Sequence, residues 1–257
     1  MPTRPQQRAE AFKALHIPGD PLVLFNIWDA GSAKAVGEAG ARALATGSWS
    51  VAAAHGFADG EAIPLELALT NLRRIVAAVE LPVSIDLESG YGATASAVGE
   101  SLAAVIQAGA IGCNLEDPLP GGQGLRAIED QCARLAAARA SAERAGLPLF
   151  FLNARTDSFL KTPVEQHDEA MVDAALERAR AYAGAGASGL FVPGLADERL
   201  IARVCERSPL PVNILVRPHT PPRARLASLG VARISHGPGP YRLMMKALGE
   251  AARAAMD

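Results

Sequence analysis

The sequence has 257 residues, a formal net charge of −2 and 49% hydrophobic residues, which is enough for a sizeable core. A nearly neutral chain lacks the basic excess that binding to nucleic acid or to an anionic membrane surface requires. The N-terminus is polar, and no apolar run approaches the roughly 20 residues that a membrane-spanning helix needs. We therefore expect a soluble, cytoplasmic protein with no nucleic-acid or membrane partner.

Short apolar runs alternate with segments of helical periodicity along the whole chain. The first segment, over about residues 1–20, predicts a helical extension ahead of the first strand. Three Ala-Gly-Ala sequences, at 39–41, 108–110 and 185–187, predict a repeated turn from helix to strand, because glycine commonly ends a helix. The strand candidates are, in chain order, 22–28, 43–46, 82–88, 112–116, 149–155, 189–193, 212–216 and 232–235.

Eight strand–helix units in 257 residues match the count and length of a (β/α)8 TIM barrel, an α/β fold with parallel strands. A doubly wound sheet is the alternative, but it needs a phosphate-binding fingerprint, and the first strand is followed by Asp29-Ala-Gly-Ser32. No linker or low-complexity tract interrupts the series. We therefore predict a single barrel domain over residues 1–257, including the N-terminal extension.

Acidic residues end two neighbouring strands, at the edge where TIM barrels carry their catalytic groups. Asp86 and Glu88 stand two residues apart on the third strand, so their side chains should face the same way, and Glu116 ends the fourth strand. Carboxylates held together repel one another unless a cation or a proton lies between them. These oxygen donors, with no His or Cys cluster nearby, favour Mg²⁺, or Mn²⁺, over Zn²⁺. Solvated loop acids paired with basic residues are the alternative.

Polar groups at other strand ends extend the predicted site. Arg155 follows the fifth strand and can bind a substrate carboxylate or a developing oxyanion, or serve as a structural partner for the acids. Gly47 and Ser48 follow the second strand and form either an anion-binding turn of backbone N–H groups or a plain turn. Asn213, on the seventh strand, is a further candidate for substrate binding.

Four motifs, in order along the chain, resemble the isocitrate lyase/phosphoenolpyruvate mutase superfamily over about residues 20–250. They are segment 45–53 with Asp59, then Asp86-Leu-Glu-Ser-Gly-Tyr-Gly92, Gly112-Cys-Asn-Leu-Glu-Asp117 and Asn153-Ala-Arg-Thr-Asp157. The resemblance implies a (β/α)8 barrel whose last helix is exchanged between the subunits of a dimer, within a homotetramer. It also implies a small 2-oxo acid substrate that reacts through an enolate.

The resemblance further implies a role for each matching acid. Mg²⁺ would be held through Asp86, with Glu88 and Glu116 acting mostly through water. Asp59 would assist from a mobile loop.

For the substrate, the resemblance implies that its carboxylate meets the backbone at Gly47, Ser48 and Trp49. Arg155 would stabilise the enolate formed as a bond to C3 breaks. Mg²⁺ and the guanidinium would then lower the energy of the oxyanion by neutralising its charge.

At two positions the sequence departs from the motifs of the isocitrate and methylisocitrate lyases, which argues against the isocitrate-type reaction. The lyases carry a Lys-Lys/Arg-Cys-Gly-His run after strand 4, whose cysteine protonates the departing carbanion, whereas residues 117–124 here contain no Cys, His or Lys. The lyases also place a glutamate at the end of strand 6, where this chain has Val192-Pro-Gly194. The gating loop of the phosphonopyruvate enzymes is not matched either.

We therefore predict a Mg²⁺-dependent lyase that cleaves or decarboxylates a small 2-oxo acid or related carboxylate through an enolate. The predicted proton donor is His236, His219 or Tyr91. An enzyme that breaks a C–P bond, of the phosphoenolpyruvate mutase or phosphonopyruvate hydrolase type, is one alternative. A non-catalytic barrel that binds a 2-oxo acid is the other.

Overall fold

The computed structural model describes residues 1–119, 121 and 124–256. Its strands are all parallel and lie in the order β1-β8-β7-β6-β5-β4-β3-β2. A parallel bridge between Ile27 and Thr46 joins the first strand to the second and brings the two ends of the sheet together. This arrangement confirms the predicted (β/α)8 barrel. The strands are β1 (Leu22–Leu24), β2 (Leu44–Ala45), β3 (Val83–Asp86), β4 (Gly112–Glu116), β5 (Phe151–Arg155), β6 (Gly189–Phe191), β7 (Val212–Leu215) and β8 (Arg233–Ser235).

Helices follow the strands and cover the outside of the barrel. They are α1 (Arg4–Ala14), α2 (Ala30–Glu38), α3 (Ser48–Ala54), α4 (Leu65–Ala78), α5 (Ala95–Gln107), α6 (Ile128–Arg144), α7 (Glu169–Gly184), α8 (Glu198–Arg207), α9 (Arg223–Ser228) and α10 (Gly239–Met256). At the predicted Ala-Gly-Ala turns, Gly40, Gly109 and Gly186 all have φ between 93° and 100°, the left-handed conformation that ends a helix cheaply only in glycine. None of the helices in the described residues is long and apolar enough to cross a membrane.

The N-terminal helix α1 lies against the start of the barrel strands. Phe12 is fully buried, and its ring meets that of Phe151, the first residue of β5, edge to face with the centroids 5.6 Å apart. His16 stacks on the same Phe151 ring at 3.8 Å. Asp86 and Arg155 lie at the opposite, carboxyl ends of their strands. Helix α1 therefore closes the amino-terminal end of the barrel and leaves the carboxyl-terminal end open.

The last helix, α10, is packed differently from the others. Only its first turn is anchored: Pro240 is buried, and the Tyr241 ring meets those of Trp28 and Trp49. Beyond that turn its apolar side chains are exposed, Leu243 by 60% and Leu248 by 62%. An apolar groove of about 680 Å³ runs beside it, between β1, α2 and the start of α10. The helix therefore presents an uncovered apolar face next to an open apolar groove.

Candidate active site

A cavity of about 500 Å³ opens at the carboxyl ends of the strands. It is lined by groups from both halves of the barrel, including Asn26, Gly47, Ser48, Trp49, Asp59, Asp86, Asn114, Arg155, Arg217, His236 and Arg242. Four of the predicted catalytic or metal-binding residues thus meet at one mouth with the predicted substrate-binding residues Gly47, Ser48 and Trp49; the four are Asp59, Asp86, Arg155 and His236. The larger groove beside α10 lies on the outside of the barrel and contains none of the acidic groups.

Asp86, the last residue of β3, is held from both sides. Its Oδ2 accepts hydrogen bonds from the backbone N–H (3.2 Å) and the hydroxyl (2.8 Å) of Ser48, and its Oδ1 accepts one from the amide of Asn114 (3.2 Å). Neutral donors fix the carboxylate without cancelling its charge. Asp86 is therefore available as an oriented anionic ligand.

Glu88 lies in a tight turn beyond the end of β3. Its φ is 53°, so the simple alternation of side chains along a strand does not place it, and its residue is only 4% exposed. Its carboxylate accepts the hydroxyl of Tyr91 (3.0 Å) and the backbone N–H of Glu61 (2.7 Å). With Asp86 it lines a small cavity of about 20 Å³, which is room for about one water molecule.

The loop that carries Asp59 is fastened to this turn by Glu61. The Glu61 carboxylate accepts hydrogen bonds from the hydroxyl of Ser89 and from the backbone N–H of Tyr91, both at 2.8 Å. In the described residues Glu61, Glu88 and Tyr91 are the non-glycine positions with positive φ, at 60°, 53° and 51°. Such positions cost roughly 1–3 kcal/mol each and persist only where the surroundings enforce them. The contact between the two loops therefore carries stored strain directly beside the cavity.

Arg155, the last residue of β5, is clamped between two acids. It contacts Glu116 at 2.6 Å, and it donates to Asp157 from Nε (2.6 Å) and Nη2 (2.9 Å). Although burial opposes it, the charges of Glu116 and Asp157 raise the pKa of Arg155, so the guanidinium is permanently charged. It also lies 5.8 Å from the ring centroid of Phe191. Both roles considered for this residue, partner of the acids and cation at the cavity, are met by one geometry.

Three acids at or near this mouth have raised pKa values, chiefly because burial disfavours their charged forms. Burial and then the charge of Asp86 raise the pKa of Glu88 to about 7. Burial and then Asp86 also raise the pKa of Asp59. Burial raises the pKa of Glu116 as well, while Arg155 opposes the rise. Such a set is stabilised by added positive charge.

A hard divalent cation that keeps its water fits this arrangement. In the part of the chain that the structure describes, no three His, Cys, Asp or Glu side chains are placed to hold one metal ion together. Mg²⁺ usually binds through one or two carboxylates and retains several waters. Asp86 and Glu88 line the same water-sized cavity, so either carboxylate can reach such an ion directly or through a water molecule.

Some predicted site residues lie elsewhere or are already engaged. Asn213 does not line the cavity: it is 1% exposed and bonded inside the barrel to Asn153 and Ser235. The N–H of Gly47 donates to the carbonyl of Ile27, and that of Ser48 to Asp86.

The three candidate proton donors differ in position. His236 lines the cavity, and burial lowers its pKa, which favours the neutral ring at neutral pH. Tyr91 points its hydroxyl at Glu88 instead, and His219 lies in the exposed loop after β7.

Of the two positions at which the sequence differs from the lyases, the structure describes the end of β6 fully and the loop after β4 only in part. At the end of strand 6, a Cβ on Gly194 would stand 2.7 Å from the backbone of Phe159 and Leu160, and φ there is 95°. No glutamate can occupy this position without moving the 159–160 backbone. The loop after strand 4 lies partly outside the described residues, at 120, 122 and 123.

Sequence reasoning assigned no role to several groups that shape the site. Asn114 and Asp157 orient Asp86 and Arg155, and Glu61 fastens the Asp59 loop. Asn26 ties three strand ends together: its amide donates to the carbonyl of Thr46 (2.9 Å) and accepts the N–H groups of His236 and Gly237. The Arg-Thr-Asp spacing at 155–157 is a signal that could have identified Asp157.

Residues 12–256 match the family described as phosphoenolpyruvate phosphomutase. The chain belongs to this family. A solved structure of a candidate phosphonomutase from Burkholderia cenocepacia J2315 is 54% identical and superposes with a TM-score of 0.95, covering 98% of this chain and 99% of that one. An uncharacterised protein of Mycobacterium tuberculosis is 35% identical over 96% of this chain and 89% of its own length. The 2-methylisocitrate lyase of Escherichia coli is 30% identical over 79% of this chain and 68% of its own length.

The phosphoenolpyruvate mutase family lies within the isocitrate lyase/phosphoenolpyruvate mutase superfamily, so the predicted resemblance is confirmed. Members of this superfamily are magnesium-dependent lyases and mutases, and the chain is a lyase or mutase of this superfamily.

Proposed function

We propose that this enzyme is a Mg²⁺-dependent lyase that cleaves or decarboxylates a small 2-oxo acid through an enolate. The observation that carries the proposal is the meeting of Asp86, Asp59 and the permanently charged Arg155 in one cavity of about 500 Å³. Mg²⁺ would be held through Asp86, with Glu88 and Glu116 reached through water. Bound there, the ion would neutralise negative charge that develops on the substrate's oxygens.

The protein's own groups supply the rest of the chemistry. Arg155 is fixed by Asp157 and Glu116, so its guanidinium can stabilise a developing oxyanion without reorganising. The turn at Gly47, Ser48 and Trp49 lines the same cavity and is proposed to face the substrate carboxylate. His236 lines the same cavity, and its ring, whose neutral form burial favours, is the proposed proton donor or relay.

A C–P bond reaction is the second candidate. It is favoured by the 54% identity to the candidate phosphonomutase of Burkholderia cenocepacia. The chain also lacks the glutamate that the lyases carry at the end of β6, and Gly194 leaves no space for it. This difference from the lyases also favours the second candidate.

A substrate panel distinguishes the two reactions. Release of pyruvate is measured from oxaloacetate, from substituted malates and from phosphonopyruvate, each with Mg²⁺ and with excess EDTA. We expect turnover of a carbon–carbon substrate that EDTA abolishes and that Asp86→Ala lowers at least 100-fold, in line with the loss of a metal ligand. The matched control is Asp20→Ala, at a side chain that is 59% exposed on the opposite surface, and it should keep full activity.

Each other result has a definite meaning. Turnover of phosphonopyruvate alone would establish the second candidate. Binding of oxalate, a mimic of the pyruvate enolate, with no turnover of any compound would show a non-catalytic 2-oxo acid-binding barrel.

We also propose that α10 packs against a second copy of the chain, within a homodimer or homotetramer. The exposed Leu243 and Leu248 and the adjacent groove of about 680 Å³ support this pairing, because exposed apolar patches of this kind mark interfaces. Light scattering after size exclusion should give an oligomer for the wild type and a monomer for the Leu243→Glu, Leu248→Glu double variant. Lys246→Gln, on the same helix, should leave the oligomer intact; a monomeric wild type would refute the proposal.

A further inference from the structure

A buried cation lies inside the barrel beneath the acidic cluster. Arg233, on β8, is 1% exposed and is one of the largest fully buried side chains of the protein. Its side chain reaches Asn114 Oδ1 (3.2 Å) and Ser235 Oγ (3.4 Å), and no carboxylate of the described residues pairs with it. Its Nη1 has no hydrogen-bond partner in the same part of the chain.

This residue is costly for the fold alone. Barrel interiors are normally filled with branched aliphatic side chains, and a buried charge without a carboxylate partner is strongly unfavourable. Burial lowers the pKa of Arg233 to about 9, which still leaves the guanidinium charged at neutral pH. A retained charge of this kind needs a reason beyond packing.

A relay of amides connects this cation to the site. Asn114 Oδ1 accepts from Arg233 Nη2 and from Asn153 Nδ2 (2.9 Å), so both of its lone pairs are used by donors. The Asn114 amide therefore has one orientation, with its Nδ2 donating to Asp86 Oδ1 at 3.2 Å. Asn153 is in turn held by Asn213, to whose Oδ1 it donates at 3.1 Å.

The relay solves an electrostatic conflict. An arginine paired directly with Asp86 would occupy the carboxylate and compete with any cation for it. One amide placed between Arg233 and Asp86 orients the carboxylate without pairing it directly with a protein cation. Because Arg233 is fully buried, its Coulomb attraction to Asp86 across the relay is screened less than it would be in water.

We propose that Arg233 is a positioning residue for the metal site, which locks the amide of Asn114 so that the carboxylate of Asp86 is presented to a divalent cation in one orientation. The inference rests on the proposed Mg²⁺-dependent function. It adds a group that is remote from the substrate and that acts only through Asn114.

The test compares metal affinity with stability in the same variants. Arg233→Met keeps an unbranched side chain but removes its charge and its hydrogen-bond donors, and Asn114→Ser keeps Arg233 but cuts the relay. Calorimetry with Mg²⁺ in the presence of oxalate should give a Kd at least tenfold higher for both variants, the effect typical of a group behind a metal ligand. Thermal unfolding should show Arg233→Met at least as stable as the wild type, because an unpaired buried charge has been removed.

Arg139→Met is the matched control. Arg139 is a half-buried arginine that bonds the carbonyls of Gly186, Pro148 and Phe150, away from the site. This variant should lose stability and keep the wild-type Kd. An unchanged Kd in Arg233→Met and Asn114→Ser would overturn the inference, as would a loss of stability in Arg233→Met with no change of Kd. A wild type that binds oxalate but no Mg²⁺ would overturn the proposed function itself.

Discussion

Replacement of Glu61 by alanine is expected to release the loop that carries Asp59. The substitution removes the two hydrogen bonds at 2.8 Å that the Glu61 carboxylate accepts from Ser89 and from the backbone of Tyr91. Hydrogen bonds to a charged acceptor contribute about 1.5–3 kcal/mol when shielded, and because Glu61 is only half-buried we take about 1 kcal/mol for each. Alanine at φ 60° also keeps the backbone strain. The closed loop should therefore lose about 2 kcal/mol, roughly a 30-fold change in the opening equilibrium.

Hydrogen exchange measures that opening directly. Amides of the 55–63 loop should exchange about 30-fold faster in Glu61→Ala, while amides of the barrel strands keep their wild-type rates. Glu61→Gln is the matched control, because its single carbonyl oxygen can still accept both bonds, and it should show a much smaller change. Exchange in the 55–63 loop that does not accelerate, or that accelerates equally throughout the chain, would refute the reasoning.

Three further outcomes follow from the geometry. Burial lowers the pKa of His16 from 6.5 to about 3. The unfolded chain therefore binds a proton that the folded chain excludes, and stability is lost as the pH falls below 6.5. Between pH 7 and pH 5 the free energy of unfolding, measured with urea, should fall by about 2 kcal/mol more in the wild type than in His16→Phe. Gly194→Ala should lower Tm by about 6–12 °C, corresponding to about 3 kcal/mol. The control is Gly184→Ala, where a Cβ meets nothing within 4 Å, and it should be neutral or stabilising. Equal melting points for the two variants would contradict the clash at Gly194. Because burial and Asp86 raise the pKa of Glu88 to about 7, Mg²⁺ affinity in the presence of oxalate should rise between pH 6 and pH 8, and a flat pH profile would exclude a role for this proton.

The fold was predictable because its signal is repeated. Apolar runs alternated with helical segments, three of which ended in an Ala-Gly-Ala turn before the next strand, and all eight strands were found, although mostly shorter than predicted. The first run, 22–28, forms a strand only over Leu22–Leu24, because Asn26 then bonds the neighbouring strands with its side chain instead of its backbone. Asp86 and Arg155 could be found because they end strands, and strand ends of a barrel meet in space.

Other parts of the site depend on geometry that no periodicity encodes. Alternation along β3 was expected to align Glu88 with Asp86, but the strand ends at Asp86 and Glu88 turns with φ 53°. Asn213 was assigned to the substrate because it is polar and near a strand end, yet it faces the barrel interior with Arg233. Inward polar groups within an apolar strand can be distinguished from mouth residues only when the depth of each residue in the barrel is known.

The walls of the cavity differ in how firmly they are built. Glu116 and Arg155 stand on β4 and β5, which pair along five consecutive residues, so the charged wall is stiff. On the other side the first two strands meet at the single Ile27–Thr46 bridge, reinforced by the amide of Asn26. Gly47 and His236 lie beside that joint. We therefore expect the wall that holds Glu116 and Arg155 to move less than the wall at Gly47 and His236 when reactants enter and leave.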